Sequence, residues 1–250
     1  MANFPTEMVN LPSKGKLYPK TSPLSKGEVE LKYMTAKEED ILTSINLIRK
    51  GIVLDKLLEA LIVDKSIKLD DMLVGDKNAI LIAARILGYG KEYTLQALCD
   101  ACDERSQLKV DCTKFKDIEI DDKIKENKFS IDLPTTKVKL EFKLLTSAEE
   151  LEVVKEVEGL QKIQPDLNFI NSYRYKKMII SVNGETQKSV VNDFVDNKFL
   201  TRDTVVFKKY LKELTPDVDM GYPFECPKCG ASQEVDVPLG TGFFWPDSGI

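Results

Sequence analysis

The chain of 250 residues contains no histidine. This absence excludes the Ser-His-Asp and Cys-His catalytic systems and every metal site that uses an imidazole ligand. An excess of positive charge is missing as well: 36 lysines and arginines stand against 41 aspartates and glutamates, which leaves a net charge of −5. Proteins that coat nucleic acid derive most of their affinity from neutralising phosphates. We therefore do not expect DNA or RNA as a general partner.

Long apolar runs are also missing. The longest covers residues 79–84, whereas a membrane-spanning helix needs about 20 apolar residues. Residues 1–19 are polar and lack the apolar centre of a signal peptide. We expect a chain that has no membrane partner and is made and folded in a cytoplasm. In that reducing compartment the five cysteines are expected to be thiols or metal ligands rather than disulfides.

The motifs that mark common enzyme classes are absent too. The sequence has no glycine-rich phosphate loop, no dinucleotide fingerprint and no nucleophile elbow. Only a mechanism based on carboxylates or a lysine survives the lack of histidine, and among 41 carboxylates no catalytic pair stands out. We expect that the protein is not an enzyme.

The order of prolines, apolar patterns and cysteines predicts an α+β fold with two similar helix-rich halves. Each half begins with an alternating strand, 29–33 or 138–144, followed by a capping box at Thr35 or Thr146 and an amphipathic helix. Each half closes with a CxxC β-hairpin resembling a zinc ribbon, so we expect a weak internal duplication, with chance recurrence as the alternative. The predicted units are an extended Pro-rich N-terminal segment (1–28), a first half (29–137), a second half (138–239) and an aromatic C-terminal tail (240–250).

Two charged residues mark the most apolar helix of the sequence. Asp76 is expected to cap a helix whose residues 79–87 are apolar nearly all round, which predicts a buried helix that ends at Gly88 and Gly90. Arg85 is the lone charge in this apolar stretch. We expect it to pair with a buried acid and to orient the two halves.

The strongest chemical signal is a pair of CxxC motifs, Cys99 with Cys102 and Cys226 with Cys229. The second motif has the Cys-Pro-x-Cys-Gly form of a zinc knuckle, in which Gly230 permits the positive φ of the turn. A structural zinc ion needs four ligands. The simplest prediction is one zinc ion held by all four sulfurs, which would join the two halves.

Several alternatives to this zinc site stay open. The 123 residues between Cys102 and Cys226 far exceed the spacing of an ordinary zinc ribbon. An iron–sulfur cluster also takes four thiolates, and the two motifs could be unrelated relics of lost sites. A redox CxxC would follow a strand and open a long helix, which neither motif does. Cys112 lies outside both pairs and is predicted to be a small buried residue.

Both ends of the chain carry candidate partner-binding residues. Three adjacent aromatic residues, Phe243, Phe244 and Trp245, lie in a glycine-rich tail and should not be left in water. They are expected either to fold back on the chain or to contact another protein. Leu17 and Tyr18, in the Pro-rich N-terminal segment, are the matching candidates at the other end.

Three segments of the sequence are distinctive when taken together: 11–19 (LPSKGKLYP), 33–42 (YMTAKEEDIL) and 75–93, which contains RILGYGKEY. They resemble the baseplate proteins of T-even-type contractile-tailed bacteriophages, and within that group the baseplate hub subunit and hub-assembly proteins. The resemblance implies no enzymatic reaction. It implies a structural or assembly role in the tail baseplate, contacts with other hub or tail proteins, possible oligomers, assembly in the host bacterial cytoplasm and a possible place in the virion tail.

The leading hypothesis is therefore an interaction protein of the phage baseplate hub that contains a structural zinc ion. The alternative is a zinc-ribbon module that binds nucleic acid or acts in transcription. Such a module needs a basic face beside its knuckles. Around the first knuckle four carboxylates outnumber two cations: Asp100, Asp103, Glu104 and Asp111 against Arg105 and Lys109. Whether the protein stays in the virion or leaves after assembly is open at this stage.

Overall fold

The computed structural model describes residues 5–162 and 169–244. Helices and small antiparallel sheets are mixed along the chain, as predicted for an α+β protein. No helix in these two ranges is long and apolar enough to cross a bilayer. The α-helices are α1 (Ala36–Leu42), α2 (Ile45–Arg49), α3 (Val53–Leu61), α4 (Val74–Tyr89), α5 (Ser147–Gln161), α6 (Ile170–Met178), α7 (Lys188–Asp193) and α8 (Thr201–Leu214).

The strands form small sheets in which every pairing is antiparallel. Four of the described sheets have two strands, in the pairs β1–β2, β3–β4, β5–β9 and β10–β11, and β6–β7–β8 has three. The strands are β1 (Thr6–Asn10), β2 (Glu28–Lys32), β3 (Glu92–Leu98), β4 (Arg105–Asp111), β5 (Lys116–Ile118), β6 (Phe129–Asp132), β7 (Lys139–Phe142), β8 (Ile179–Val182), β9 (Asp217–Asp219), β10 (Gly221–Glu225) and β11 (Ser232–Asp236).

Both capping boxes occur at the predicted residues and fix the starts of α1 and α5. The Glu38 carboxylate accepts hydrogen bonds from the N–H and hydroxyl of Thr35. The Glu149 carboxylate accepts from the N–H of Thr146, whose hydroxyl accepts from the Glu149 N–H. Each box satisfies N–H groups that lack a partner in the first helical turn.

The N-terminal segment is only partly extended. β1 pairs with β2. Between these two strands the chain forms a 3₁₀ turn at Pro23–Lys26, where the sequence predicted extended chain. Proline is tolerated at the start of a helical turn because its missing N–H would have no partner there. The Ser22 side chain accepts from the N–H of Leu24 and caps this turn.

Asp76 does not cap α4, which is a correction to the sequence analysis. The helix begins at Val74 with Leu73 as its N-cap, and Asp76 lies buried in the first turn. Its carboxylate accepts from the N–H and hydroxyl of Ser13 and from the hydroxyl of Tyr18, at 2.9, 2.6 and 2.5 Å. The acid therefore anchors the N-terminal segment to α4.

Arg85 also has partners other than those predicted. Its buried guanidinium donates to three carbonyl oxygens, those of Phe243, Gly90 and Glu92, at 2.8, 2.7 and 2.8 Å, and no described carboxylate pairs with it. The carbonyls of Gly90 and Glu92 belong to the chain that leaves α4, and the carbonyl of Phe243 belongs to the C-terminal segment. Arg85 thus joins the end of α4 to the end of the described chain.

The hydrophobic core is continuous across the predicted boundary at residue 138. β5, before that boundary, pairs with β9, after it. Gly75 lies so close to the backbone beside β9 that a Cβ atom there would lie 1.9 Å from the carbonyl oxygen of Pro216. Residues on the two sides of this boundary are therefore packed as one body, and the two similar halves and their origin by duplication stay predictions.

Replacing Tyr18 by Phe should lower the free energy of unfolding by about 1–3 kcal/mol, because a buried donor and acceptor lose their partner. The Tyr18 hydroxyl donates to Asp76 and accepts from the N–H of Leu73 at 2.9 Å. Urea unfolding at neutral pH measures the change. Tyr33→Phe is the control, since the Tyr33 hydroxyl has no described partner; equal effects of the two substitutions would contradict the prediction.

The capping carboxylate of Glu38 should stabilise the fold in a pH-dependent way. Burial acts to raise its pKa, but the Lys32 ammonium at 2.7 Å and the Thr35 hydroxyl and N–H outweigh burial and lower the pKa to about 2. A pKa below that of the unfolded chain means that ionised Glu38 stabilises the fold above about pH 4.5. The benefit is lost as the pH falls towards 2.

Glu38→Gln should therefore lower the free energy of unfolding by about 1 kcal/mol at pH 7, and the difference from the natural chain should shrink between pH 4.5 and 2. Urea titrations at several pH values measure it. A difference that grows towards low pH would refute the assignment.

Candidate metal centre

Two hairpins carry the four cysteines. Cys99 and Cys102 lie in the turn between β3 and β4, and Cys226 and Cys229 lie in the turn between β10 and β11. The hairpins meet at these turns, so that Cys102 and Cys226, 124 positions apart in sequence, become neighbours. The pairing of strands places each CxxC at a hairpin tip.

The two cysteine turns have the same backbone hydrogen bonds. The N–H of Cys99 donates to the Glu104 carbonyl and the N–H of Asp103 donates to the Cys99 carbonyl, each at 2.9 Å. In the second hairpin, the N–H of Cys226 donates to Ala231 and the N–H of Gly230 donates to Cys226, again at 2.9 Å.

A positive φ occurs at the same position in both turns, 55° at Asp103 and 72° at Gly230. Glycine adopts this conformation without strain, and aspartate is among the few other residues that tolerate it.

The four sulfur atoms lie within 4.8 Å of one another. The Sγ atoms of Cys99 and Cys229 are 3.7 Å apart, and those of Cys102 and Cys226 are also 3.7 Å apart. A tetrahedral ion with metal–sulfur bonds of about 2.3 Å has sulfurs about 3.8 Å apart. Each close pair joins one hairpin to the other, so a single ion at the centre would connect both.

Backbone amides favour a thiolate at Cys226. The N–H groups of Cys229 and Lys228 donate to its sulfur and, against burial, lower the pKa of this thiol to about 7. At Cys102 the N–H of Glu104 acts in the same direction, but neighbouring sulfurs, Cys229 first, raise its pKa to about 12. Sulfurs this close cannot all carry a negative charge unless a cation lies between them.

Side chains away from the sulfurs also hold the hairpins together. The Gln233 amide oxygen accepts from the N–H of Asp100, and its NH2 group donates to the Leu98 carbonyl, both at 2.9 Å. Lys228 and Glu104 form an ion pair across the hairpins at 2.7 Å. The sequence did not predict these contacts. Gln233 belongs to no recognisable motif, and its partners lie on the other hairpin, more than 130 positions away in sequence.

A small apolar cluster lies beneath the sulfurs and is separate from the main core. It contains Ala97 and Phe224, each two residues before the first cysteine of its motif, together with Cys99 and Cys226. Cys229 is exposed and Cys102 is half-buried. The site is therefore closed from below and open to solvent on one side.

The other sequence-predicted residues do not join this site. Cys112 is buried in the main core, as expected. Leu17 and Tyr18 are also buried in the core rather than presented to a partner, because the Tyr18 hydroxyl is bonded to Asp76.

Phe243 and Phe244 are buried as well, each 1% exposed, and the Phe243 ring packs edge-on against Tyr93 at 5.0 Å. Of the two alternatives for these aromatics, the structure has them folded back on the chain, where they complete its own core. Trp245, the third aromatic, lies outside the described residues.

The fold and the site define an α+β protein with a cluster of four cysteines that are close enough to hold a metal ion. The chain belongs to the family described as T4 bacteriophage base plate protein, whose family model matches residues 1–245. It is thus a baseplate protein of T4-type phages, and membership of this family implies the virion tail as its location. No curated protein and no solved structure gives a significant match.

Gln233→Ala should loosen the two hairpins without changing the turns themselves. The Asp100 N–H loses its acceptor, so its exchange with solvent deuterium should become faster. The Cys99 N–H, which donates to Glu104 within its own turn, is the internal control and should stay protected. Residue-resolved hydrogen exchange measures both, and unchanged exchange at Asp100 would refute the proposed contact.

Proposed function

We propose that this protein is a non-enzymatic structural or assembly component of the baseplate hub and that its four cysteines bind one structural zinc ion. The observation that carries the zinc proposal is the convergence of four sulfurs within 4.8 Å from hairpins far apart in sequence. The hub proposal is supported by the N-terminal and α4 sequence segments that resemble hub proteins, within a chain of the baseplate family.

The donor set favours zinc in a structural role. Four sulfur ligands saturate a tetrahedral ion and leave no position for a water or a substrate. The two 3.7 Å sulfur pairs suit a single ion, whereas an iron–sulfur cluster places several iron and sulfide atoms between its thiolates. When bound, the ion would supply a cross-link of the order of 10–16 kcal/mol in apparent binding free energy.

An internal duplication accounts for two knuckles in one chain. Its support is the matching hydrogen-bond pattern of the two cysteine turns, the positive φ at the same position and the capping boxes at Thr35 and Thr146. Each ancestral unit would have contributed two ligands. A shared ion would then keep the two units in one orientation.

In the proposed structural or assembly role, the rigid body of the protein presents surfaces to other tail proteins. Burial of Tyr18, Phe243 and Phe244 gives a body in which the N-terminal segment and residues 243–244 are fixed in the core. Assembly would take place in the host bacterial cytoplasm before the tail is complete. The nucleic-acid alternative has less support, because Lys228 at the knuckles is paired with Glu104 and carboxylates surround the first turn.

Purified protein should contain about one zinc ion per chain by elemental analysis. Chelation should release it and make four additional thiols reactive, since the sulfurs are protected only while bound to metal. Cys226→Ser should lose most of the metal because it removes a buried ligand. Cys112→Ser, the matched control, should keep it, because Cys112 lies in the main core.

Three results would contradict the zinc proposal. Iron together with acid-labile sulfide would show that the cysteines hold an iron–sulfur cluster instead of zinc. Metal-free protein with four reactive thiols would show that the site binds no metal. Equal metal content in the Cys226→Ser and Cys112→Ser variants would place the ion elsewhere.

A further inference from the structure

Three exposed apolar side chains surround one groove on the side of the body. Val74 at the start of α4, and Leu151 and Val154 on α5, are 41, 43 and 38% exposed. The groove has a volume of about 460 Å3. Buried side chains complete its apolar lining: Val53, Leu69 and Leu81.

The same groove is acidic. Three carboxylates line it, those of Asp55, Asp70 and Glu150, against the single cation of Lys77. Lys77 is already paired with Asp55, and Glu150 is paired with Arg174. Asp70 has no ion-pair partner among the described residues. An apolar groove with unneutralised negative charge favours an occupant that is apolar and basic.

The outward face of α8 has this chemistry. Val205 is 61% exposed at its centre. Four exposed cations surround Val205, and none has an ion-pair partner in the part of the chain that the structure describes. They recur at helical spacing, so they share the solvent face: Arg202, Lys208, Lys209 and Lys212.

We propose that α8 of one copy of this chain docks in the groove beside α5 of a second copy. Apolar Val205 would meet Leu151 and Val154, and the α8 cations would meet the unpaired carboxylate of Asp70. The helices match in length, with 14 residues in α8 and 15 in α5, each about 21–22 Å long.

The two surfaces are different parts of the chain, and both are exposed on the same molecule. The α8 helix of a chain therefore does not occupy the groove of the same chain. A contact of this kind is heterologous, with a head-to-tail arrangement that closes into a ring or extends as a filament. It is independent of the cysteine site, so loss of metal binding and loss of this interface are separable.

The test is the mass in solution, by light scattering after gel filtration, of the full chain and two double variants. The natural chain should run as a multiple of 28.3 kDa. Lys208→Glu/Lys209→Glu reverses charge on α8, and Leu151→Lys/Val154→Lys places positive charge in the groove. Each variant alone should run at 28.3 kDa.

An equimolar mixture of the two variants should give a dimer. The first variant keeps a natural groove and the second keeps a natural α8, so one intact interface can form. Lys20→Glu/Lys188→Glu, with the same change in charge at exposed positions elsewhere, should behave like the natural chain. Circular dichroism checks the fold of every variant.

A natural chain that stays at 28.3 kDa at high micromolar concentration would overturn the proposal. So would double variants with the natural mass, or a mixture that remains monomeric. If a double variant does not fold, Val205→Asn gives the same test on α8, because its exposed side chain contributes little to the core.

Discussion

The position of helix α4 in the core is the constraint on which the rest of the structure depends. Burying this helix also buries two charged residues, Asp76 and Arg85. A buried charge without hydrogen-bond partners destabilises a fold by several kcal/mol. Ser13 and Tyr18 donate hydrogen bonds to the Asp76 carboxylate, and the Phe243 carbonyl is one of the acceptors for the Arg85 guanidinium. The segments that contain Ser13, Tyr18 and Phe243 are therefore held against α4.

The cysteine hairpins follow a different logic from the core. Their own apolar cluster is small, so the contacts that unite them are few: the Gln233 amide, one exposed ion pair and the four sulfurs. Exposed ion pairs contribute little. Under the proposed function, a metal ion supplies the stability that this part of a baseplate-family protein lacks in apolar area.

Local patterns in the sequence were sufficient to locate the two helices that begin with capping boxes and the four clustered cysteines. The boxes at Thr35 and Thr146 and the two CxxC turns are each contained within six residues, and the structure has all four where they were predicted. The partners of Arg85 were not predictable in the same way. A carbonyl oxygen carries no sequence signature, so an acid was expected where backbone atoms meet the guanidinium.

The sequence by itself determined the α+β class, the starts of α1 and α5 and the identity of the four cysteines in the cluster, because hydrophobic period, caps and residue type act within a few positions. Only the tertiary structure decided that Phe243 and Phe244 face inward, that Asp76 binds the N-terminal segment and that four sulfurs meet. Those outcomes join residues more than 60 positions apart. Packing of the whole chain, rather than any local preference, brings such residues together.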